Sequence, residues 1–401
     1  MIVSGNALLA FLAVLPIAVG CSRSDDAGPW PPAPTDSAQP QDAAPLPGVA
    51  DVQGEGCAPA PYDSPDDLGR LFVATVNGSE LTLAEIDALS RHRPAGVLIR
   101  DHNVTDRAQL QELIGAVHGN GETLALVDHE GGTVQLPTVQ PPLGSARTQG
   151  QGTPESTRAA AALVGADLRA LGFDVNLAPV ADVENAASGE IGSRAFGADP
   201  VHVAQHSAAF AQGLQDAGII PAFKHFPGYG RAADDAHLAL SSVWTGIDEL
   251  SGIDLPPFVE AIEAGIPLIM TSHLHYAAFD EQVRPATTSG AVIDDLLRRD
   301  LGFRGVVITD SLGMGAVTRI TGSEGGAAEA LVAGADLLLT THNVAQLPRF
   351  IERIELGILS GEIPLERVNE ALGRAAALQR LAAGGDASCL MPLPEDAAGG
   401  S

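Results

Sequence analysis

The sequence predicts an α/β fold in the form of a single closed (β/α)8 barrel of the TIM type. Eight short runs of aliphatic and β-branched side chains alternate with segments in which apolar residues recur at helical spacing. Glycine directly follows several of these helical segments, as helix C-termini favour. Eight alternating strand–helix units favour a ring of parallel strands enclosed by helices.

The predicted strands are short and apolar, which suits strands that are buried on both faces. In chain order they are Leu71–Val76, Gly96–Ile99, Leu124–Val127, Val175–Ala178, Pro221–Lys224, Pro267–Thr271, Gly305–Thr309 and Asp336–Leu339. The amphipathic segments between them include Arg107–Val117, Ser156–Leu171, Val203–Ala217, Phe258–Ala264 and Ile293–Leu301. The helix-ending glycines are Gly172, Gly218, Gly265, Gly302 and Gly334. Two last helices, Leu347–Leu359 and Leu365–Leu381, would close the barrel.

Polar side chains follow the predicted strands at their C-terminal ends, where barrels of this kind carry their chemistry. Strand by strand from the third, they are Asp128-His129-Glu130-Gly131-Gly132, then Asp182, then Lys224 with His225, then His273 with His275, then Asp310, then His342. A random scatter of polar residues would not follow strand after strand. The pattern therefore predicts one site at this end of the barrel.

The chain contains a single lysine, Lys224, among 22 basic side chains that are otherwise all arginine. A compact ammonium contacts oxygen atoms where a planar guanidinium would not fit. Two histidines and two aspartates lie within fourteen residues of this lysine, beside glycines and a proline that fix a loop. Such a density of titratable groups next to a rigid turn is typical of an active site.

The segment Lys224-His225-Phe226-Pro227-Gly228-Tyr229-Gly230, followed by Asp235-Ala236-His237, resembles the signature of glycoside hydrolase family 3 in its single-domain β-N-acetylhexosaminidase branch. That branch reads Lys-His-Phe-Pro-Gly-His-Gly, four variable residues, then Asp-Ser-His. The spacing is identical here, and Tyr229 and Ala236 are the two differences. The resemblance extends in pieces from about residue 70 to about residue 380.

The resemblance implies a retaining mechanism, which needs a carboxylate nucleophile and a proton donor beside the leaving oxygen. Asp310, in Ile308-Thr309-Asp310-Ser311-Leu312-Gly313-Met314, matches the family nucleophile and follows an apolar strand. His237, oriented by Asp235, matches the family acid/base, and an imidazole titrates in the range that this role requires. Asp234 is an alternative partner for His237.

The resemblance also places Asp128, Arg194, Lys224 and His225 in the sugar site. Asp128 would accept hydrogen bonds from ring hydroxyls, and Lys224 and Arg194 would supply charged donors. The family commonly reads Glu-Gly-Gly-Arg-Val-x-Arg after the third strand, whereas this chain has Thr133 and Leu136 at the two arginine positions. We therefore expect altered affinity or specificity.

The composition limits the possible partners. The formal net charge of −28 repels phosphate backbones, so nucleic-acid binding is excluded. The sequence has neither a recognisable metal motif nor a phosphate-binding glycine loop, and we expect no metal and no cofactor. A monomer is favoured, although the sequence does not determine the oligomeric state.

The N-terminus predicts export. Ala7–Gly20 is an apolar run of signal-peptide length, and Ala18-Val19-Gly20-Cys21 resembles a bacterial lipoprotein cleavage box, although neither Lys nor Arg precedes it. We expect a signal peptide over residues 1–21 with lipidation of Cys21, and a disordered tether rich in Pro, Ala and Asp over 22–68. The barrel would span 69–385 and a tail 386–401.

The two remaining cysteines, Cys57 and Cys389, flank the predicted barrel. An exported protein permits disulfides, and the two ends of a closed barrel meet. We therefore expect a Cys57–Cys389 disulfide.

The leading hypothesis is an exported β-N-acetylhexosaminidase, anchored by lipid to the outer face of the cytoplasmic membrane or to the cell envelope. Its substrates would be N-acetylglucosamine-containing glycosides or muropeptides. The alternatives are a catalytically weak sugar-binding lipoprotein on the same scaffold, a β-glucosidase-like hydrolase, and a variant that transfers the sugar to phosphate instead of water.

Overall fold

The computed structural model of the protein describes residues 62–185, 191–232, 236–385 and 387–390. Within them, eight parallel strands with helices between them form a TIM-type barrel. The strands are β1 (Phe72–Thr75), β2 (Gly96–Ile99), β3 (Leu124–Val127), β4 (Val175–Asn176), β5 (Phe223–Phe226), β6 (Leu268–Thr271), β7 (Val306–Thr309) and β8 (Leu338–Asn343).

Hydrogen bonding divides the barrel wall into two parallel sheets. One sheet joins β8, β1, β2, β3 and β4, and ends on a two-residue strand, Ile220–Pro221, that leads into β5. The other joins β5, β6 and β7. One parallel bridge crosses each seam, pairing Val180 with Lys224 and Ile308 with Leu337. The ring of strands is continuous through these two bridges.

Successive side chains of each strand point to opposite sides of the wall. Phe72 of β1 packs in an outer apolar cluster, whereas the next residue, Val73, packs in an inner cluster. In β6, Ile269 lies in the outer cluster, while Leu268 and Met270 lie in the inner one. The barrel interior is therefore a packed core, as in other barrels of eight strands.

The longer helices alternate with the strands. They are α1 (Leu83–His92), α2 (Arg107–His118), α3 (Pro154–Leu171), α4 (Pro200–Asp216), α5 (Pro256–Glu263), the π-helical α6 (Ala291–Asp300), α7 (Gly322–Val332), α8 (Leu347–Ser360) and α9 (Leu365–Ala382). Short helical turns lie at Pro65–Leu71, Asp101–Asn103, Ala146–Gln149, Gly192–Arg194, Ile247–Glu249, Leu250–Asp254, Ala286–Thr288, Gly315–Thr318, Val344–Gln346 and Ala387–Leu390. Ser242–Val243 and His275–Tyr276 form a small separate sheet. Within the described ranges, no helix has the length and apolar character needed to cross a membrane.

The predicted strands and helices are confirmed to within a few residues, with two corrections that bear on the polar motifs. β5 runs beyond Lys224, so Lys224 and His225 lie inside the strand rather than at its end. β8 begins after Asp336 and includes His342. The five glycines predicted at helix ends all adopt positive φ, between 70° and 109°, in agreement with their proposed role.

The chain enters the barrel at its floor, the face at the N-terminal ends of the strands. The turn Pro65–Leu71 leads into β1, with Leu68 fully buried, and the main-chain N–H of Tyr62 donates to Oδ1 of Asn369 in α9 (2.9 Å). The tether boundary predicted at residue 68 is therefore wrong, because residues 62–68 are folded. Leu390, assigned from sequence to a tail, is likewise buried in the inner cluster. Composition was misleading because proline and aspartate here cap a helical turn.

A buried carboxylate reinforces the seam between β7 and β8. Asp336 Oδ2 accepts hydrogen bonds from the main-chain N–H of Val307 (2.9 Å) and from Arg298 (2.6 Å). Its Oδ1 accepts from Arg367 (2.5 Å) and Arg374 (3.0 Å). Burial raises the pKa of Asp336, but the three guanidinium groups outweigh burial and hold it far below its ordinary value. An ionised Asp336 thus ties α6 and α9 to a seam that has a single strand bridge.

Candidate active site at the C-terminal ends of the strands

Asp310 follows β7 directly, and its side chain is partly exposed. Its carboxylate Oδ1 accepts a hydrogen bond from the main-chain N–H of Ser311 (2.7 Å). Burial alone raises the pKa of Asp310, but two nearby histidines, the Ser311 amide and Lys224 outweigh burial and hold the pKa below its ordinary value. These histidines are His273 and His225. Asp310 is therefore an ionised carboxylate at neutral pH that solvent can reach.

His273 fixes the turn beside Asp310. The ring is fully buried, and its Nε2 donates to the main-chain carbonyl of Ser311 (2.9 Å). Its Nδ1 lies 2.8 Å from the hydroxyl oxygen of Thr287, and that hydroxyl donates to the main-chain carbonyl of Ser272 (3.0 Å). Burial lowers the pKa of His273, with Asp310 opposing this effect. Both ring nitrogens of His273 are therefore engaged in buried hydrogen bonds.

Four charged side chains form a network that spans β3, β5 and the loop after β4. The Nζ of Lys224 lies 2.8 Å from Oδ1 of Asp128 and 2.7 Å from Oε1 of Glu130. Arg194 donates to both carboxylate oxygens of Glu130, each at 2.8 Å. Lys224 and Glu130 are buried, whereas the side chains of Asp128 and Arg194 are 38% and 26% exposed. The two outer members are thus the ones that a ligand can reach.

Glu130 holds the network in its charged form. Burial raises the pKa of Glu130, but Lys224 and Arg194 outweigh burial and lower it to about 2. Burial lowers the pKa of Lys224, but Asp128 and Glu130 raise it above its ordinary value. The pKa of Arg194 is raised as well, because hydrogen bonding to Glu130 outweighs burial. The site therefore presents fixed charges throughout the neutral range of pH.

Asp182, after β4, orients His225 and the turn that follows it. Its Oδ2 accepts from Nδ1 of His225 (2.7 Å), and its Oδ1 accepts from the main-chain N–H groups of His225 (3.0 Å) and Tyr229 (2.6 Å). The Asp182 side chain is fully buried. One carboxylate thus fixes both the ring of His225 and the course of the chain to Tyr229.

The turn after β5 is packed closely on both sides, and two of its glycines are required. Gly228 has a φ of 128°, and a Cβ at this position would lie 2.8 Å from Cβ of Asp254. A Cβ at Gly230 would overlap the carbonyl oxygen of Val183. Gly228 and Gly230 of the sequence motif are therefore needed because a larger residue at either position would clash with its neighbours.

Asp254 packs against the turn after β5 and binds Arg231 at its end. Its Oδ2 accepts a hydrogen bond from Nε of Arg231 (2.7 Å), and Arg231 also reaches Glu249 (2.8 Å). Burial raises the pKa of Asp254 to about 6, and Arg231 opposes this rise. The Arg231–Asp254 pair anchors the C-terminal end of the turn to the helical segment before α5.

His237 lies beyond this turn and is exposed. Its main-chain carbonyl accepts from the N–H of Gly315 (3.0 Å), and the carbonyl of Ala236 accepts from the N–H of Ala316 (3.0 Å). Gly315 comes five residues after Asp310, so the His237 segment docks beside the loop that carries Asp310. Next to the dominant effect of burial, His237 also contributes to the lowered pKa of His273.

Several residues predicted from sequence fall outside the described ranges. They are Asp235, the alternative Asp234, Cys21 and Cys57, together with the side chain of Cys389. Their assigned roles stay predictions.

The two positions at which the resemblance has arginine carry no charge. Leu136 is buried in the outer cluster, and its N–H donates to Nδ1 of His129 (3.2 Å), whereas Thr133 is exposed. Beside Glu130, a guanidinium is supplied by Arg194, which lies on the loop after β4 and which the resemblance already places in the sugar site. The site therefore contains the guanidinium of Arg194, which is hydrogen-bonded to the carboxylate of Glu130.

The described geometry can be compared with that of known proteins. The glycosyl hydrolase family 3 N-terminal domain matches residues 68–378 of this chain. The chain belongs to glycoside hydrolase family 3. It is 35% identical over 334 residues to a Beta-hexosaminidase of Xanthomonas oryzae pv. oryzae, in a match that covers 80% of this chain and 98% of that protein.

Solved family 3 structures share the fold. A β-N-acetylglucosaminidase from Paenibacillus sp. str. FPU-7 matches with a TM-score of 0.76 at 32% identity and covers 80% of this chain, which spans 63% of the Paenibacillus chain. Beta-N-acetylhexosaminidase from Beutenbergia cavernae matches with a TM-score of 0.71 at 28% identity, over 80% of this chain and 99% of that chain. The family resemblance and the barrel predicted from sequence are confirmed.

Three residues of this family 3 site were noted in the sequence only as polar residues after strands. They are Glu130, Asp182 and His273. Glu130 could have been found from sequence by one argument. A lysine inside a buried strand needs a carboxylate partner, and Glu130 lies two residues after Asp128, which was already placed in the site. For Asp182 and His273 only their position after a strand was informative, because their hydrogen-bond partners are distant in sequence.

Proposed function

We propose that this chain is a retaining β-N-acetylhexosaminidase that removes terminal N-acetylglucosamine from cell-wall-derived or related glycosides. The observation that carries the proposal is the ionised, accessible Asp310, with His225 and Lys224 close enough to lower its pKa and the His237 segment docked beside its loop. A nucleophile, a cation–carboxylate network and an exposed imidazole thus meet at one end of the barrel.

Binding precedes the chemistry. The exposed carboxylate of Asp128 accepts hydrogen bonds from sugar hydroxyls while Lys224 fixes its orientation. Arg194 and His225 donate to the remaining hydroxyls or to the acetamido group. Glu130 and Asp182 hold these donors in place. Since these supports are buried, the site needs little rearrangement when the sugar binds.

In the first step, a carboxylate oxygen of Asp310 attacks the anomeric carbon and forms a glycosyl ester. The bond from that carbon to the leaving oxygen breaks, and His237 transfers its proton to the leaving oxygen. In the second step, the neutral His237 takes a proton from water. The water oxygen then displaces Asp310 and restores its carboxylate. Two displacements leave the anomeric configuration unchanged.

Replacing His237 with alanine is expected to separate substrates by their leaving groups. Turnover of glycosides with poor leaving groups should fall by roughly 10²–10⁴-fold, because only these need a proton in the transition state. Activated aryl N-acetylglucosaminides should lose far less. Asp235→Ala should behave in the same way, because the pair acts as a unit. Steady-state kinetics on both classes provide the measurement.

His118→Ala is the matched control, because His118 lies at the end of α2 and pairs with Asp174 at the barrel floor. It should leave both substrate classes unchanged. Equal losses on both classes for His237→Ala, together with an inverted product, would contradict the assigned role.

A catalytically weak sugar-binding protein is the second candidate function, and the uncharged Thr133 and Leu136 favour it. Turnover of an aryl N-acetylglucosaminide by the purified protein decides between the two. Binding of N-acetylglucosamine without measurable turnover would favour the second candidate.

Export with lipidation of Cys21 and a Cys57–Cys389 disulfide extends the proposal. In support, Tyr62 and Leu390 are both held at α9 on the barrel floor, five residues after Cys57 and next to Cys389. In membrane-extracted protein we expect a lipidated Cys21 N-terminus by intact mass and a disulfide-linked peptide before reduction. A closure of this length would add about 6 kcal/mol in the chain-entropy model. An unprocessed Met1 or two free thiols would contradict these assignments.

A further inference from the structure

Tyr229 stands where the family signature has histidine, and its side chain reaches the segment that carries His237. The phenol oxygen of Tyr229 accepts a hydrogen bond from the main-chain N–H of Ala236 (3.2 Å), the residue directly before His237. Both Tyr229 and Ala236 are buried. The contact is therefore shielded from water, and water does not readily replace it.

The other end of Tyr229 belongs to the sugar site. Its main-chain N–H donates to Oδ1 of Asp182 (2.6 Å), the carboxylate that also binds His225. The rings of Tyr229 and His225 lie 5.4 Å apart at an angle of 53°. One residue thus contacts Asp182 through its main chain and the acid/base segment through its side chain.

The segment is also fixed on its far side. The carbonyls of Ala236 and His237 accept from the N–H groups of Ala316 and Gly315. A Cβ on Gly315 would lie 2.6 Å from the His237 carbonyl oxygen, so this approach is close. With these bonds on the far side, the Tyr229 hydroxyl provides a contact from the β5 side that opposes movement of Ala236.

We infer that Tyr229 is a positioning residue whose hydroxyl holds the Ala236 main chain and thereby sets the place of His237 relative to Asp310. The inference rests on the proposed function, because it assigns Tyr229 to the acid/base step. A histidine ring ends nearer its own backbone than a phenol oxygen does, so the contact with Ala236 uses the greater reach of tyrosine at this position. Tyr229 acts through His237 and does not touch the reacting atoms.

The test compares Tyr229→Phe with Tyr276→Phe. Tyr276 is the matched control, because its buried hydroxyl donates to the Gly228 carbonyl of the same turn (2.7 Å) and does not contact the His237 segment. Tyr229→Phe should lower turnover of poor-leaving-group glycosides by roughly 10- to 100-fold, as misplacement of a catalytic group does, with much less effect on activated aryl glycosides. Tyr276→Phe should affect both substrates to the same degree.

A double variant shows whether Tyr229 acts through His237. In the His237→Ala background, Tyr229→Phe should cause no further loss on poor leaving groups, since the group that it positions is already gone. Multiplicative losses, or equal losses on both substrates for Tyr229→Phe alone, would overturn the inference.

Hydrogen exchange provides a readout that does not depend on activity. Peptides that contain residues 236–238 should exchange faster in Tyr229→Phe than in the wild type or in Tyr276→Phe. Unchanged exchange overturns the inference even in an active enzyme. A wild type that turns over no N-acetylglucosaminide refutes the proposed function instead, and the exchange result then decides by itself whether Tyr229 anchors the segment.

Discussion

Asp310→Ala is expected to abolish turnover while leaving the fold intact. The side chain is partly exposed and makes one short hydrogen bond, to the Ser311 amide, so its removal leaves no large cavity in the core. Without the carboxylate, no glycosyl ester forms. By comparison with other enzymes that lose a nucleophile, turnover should fall on the order of 10⁴–10⁶-fold. Circular dichroism and thermal unfolding would show the retained fold.

Rescue by an external nucleophile is the control for Asp310→Ala. A small external anion such as azide should restore part of the turnover of Asp310→Ala with activated aryl glycosides. The product should then have inverted configuration, because a single displacement replaces two. Residual turnover of more than about a tenth, with retained configuration, would show that another carboxylate is the nucleophile.

Glu130→Gln is expected to have the largest effect on stability among the residues of the site. The variant leaves buried Lys224 with Asp128 alone and removes the charge that faces both guanidinium nitrogens of Arg194. Breaking a buried ion pair on one side typically costs about 3–5 kcal/mol in the free energy of unfolding. Sugar affinity should fall as well, because Lys224 and Arg194 lose the group that holds them. Urea unfolding and sugar titration provide the measurements.

The pH dependence of this loss follows from the pKa of Glu130. The folded state lowers the pKa from its ordinary value of 4.5 to about 2, so the ionised form is stabilised by folding. This contribution is fully present above about pH 4.5 and is lost as the pH falls toward 2. The difference in unfolding free energy between wild type and Glu130→Gln should thus be largest near pH 7 and shrink below pH 4.

Asp216→Asn is the control for a surface ion pair. Asp216 binds Arg158 through two hydrogen bonds, but both side chains are 47% exposed. Exposed pairs contribute about 0–1 kcal/mol, so this variant should change stability little. A loss for Glu130→Gln no larger than that for Asp216→Asn would contradict the central place given to Glu130.

The barrel was predictable because its signals are local. Apolar runs of four to six residues marked the strands. Glycines such as Gly172 and Gly334 marked helix ends, because the chain leaves these helices through a left-handed conformation that glycine adopts readily. Features that depend on distant partners were not predictable. The turn at Pro65–Leu71 reads as polar linker until its apolar side is seen against α8 and α9, and α1 was given no range from the sequence.

In the candidate site too, residues with local sequence signals were predicted, and those that depend on distant partners were not. Lys224 and His225 were found through their sequence motif, and Asp310 through its motif and its position directly after a strand, because these signals are local in sequence. The shared ion pairing of Lys224 and Arg194 with Glu130 was not found from the sequence. It arises only when β5 and the loops after β3 and β4 meet in the fold. The same holds for Tyr229, which sequence marked only as a departure and which the structure places between Asp182 and Ala236.

The chain enters the barrel at its floor, so a tether attached there would lie at the end opposite the candidate active site. The floor carries the turn Pro65–Leu71 and the contact between Tyr62 and Asn369, whereas Asp310 lies at the opposite end of the strands. On the proposed anchor at Cys21, the 40 residues 22–61 span at most about 140 Å when fully extended. An attachment at the base would leave the opening clear of the tether, and a tether of this length would let the enzyme meet glycans well away from the surface to which it is fixed.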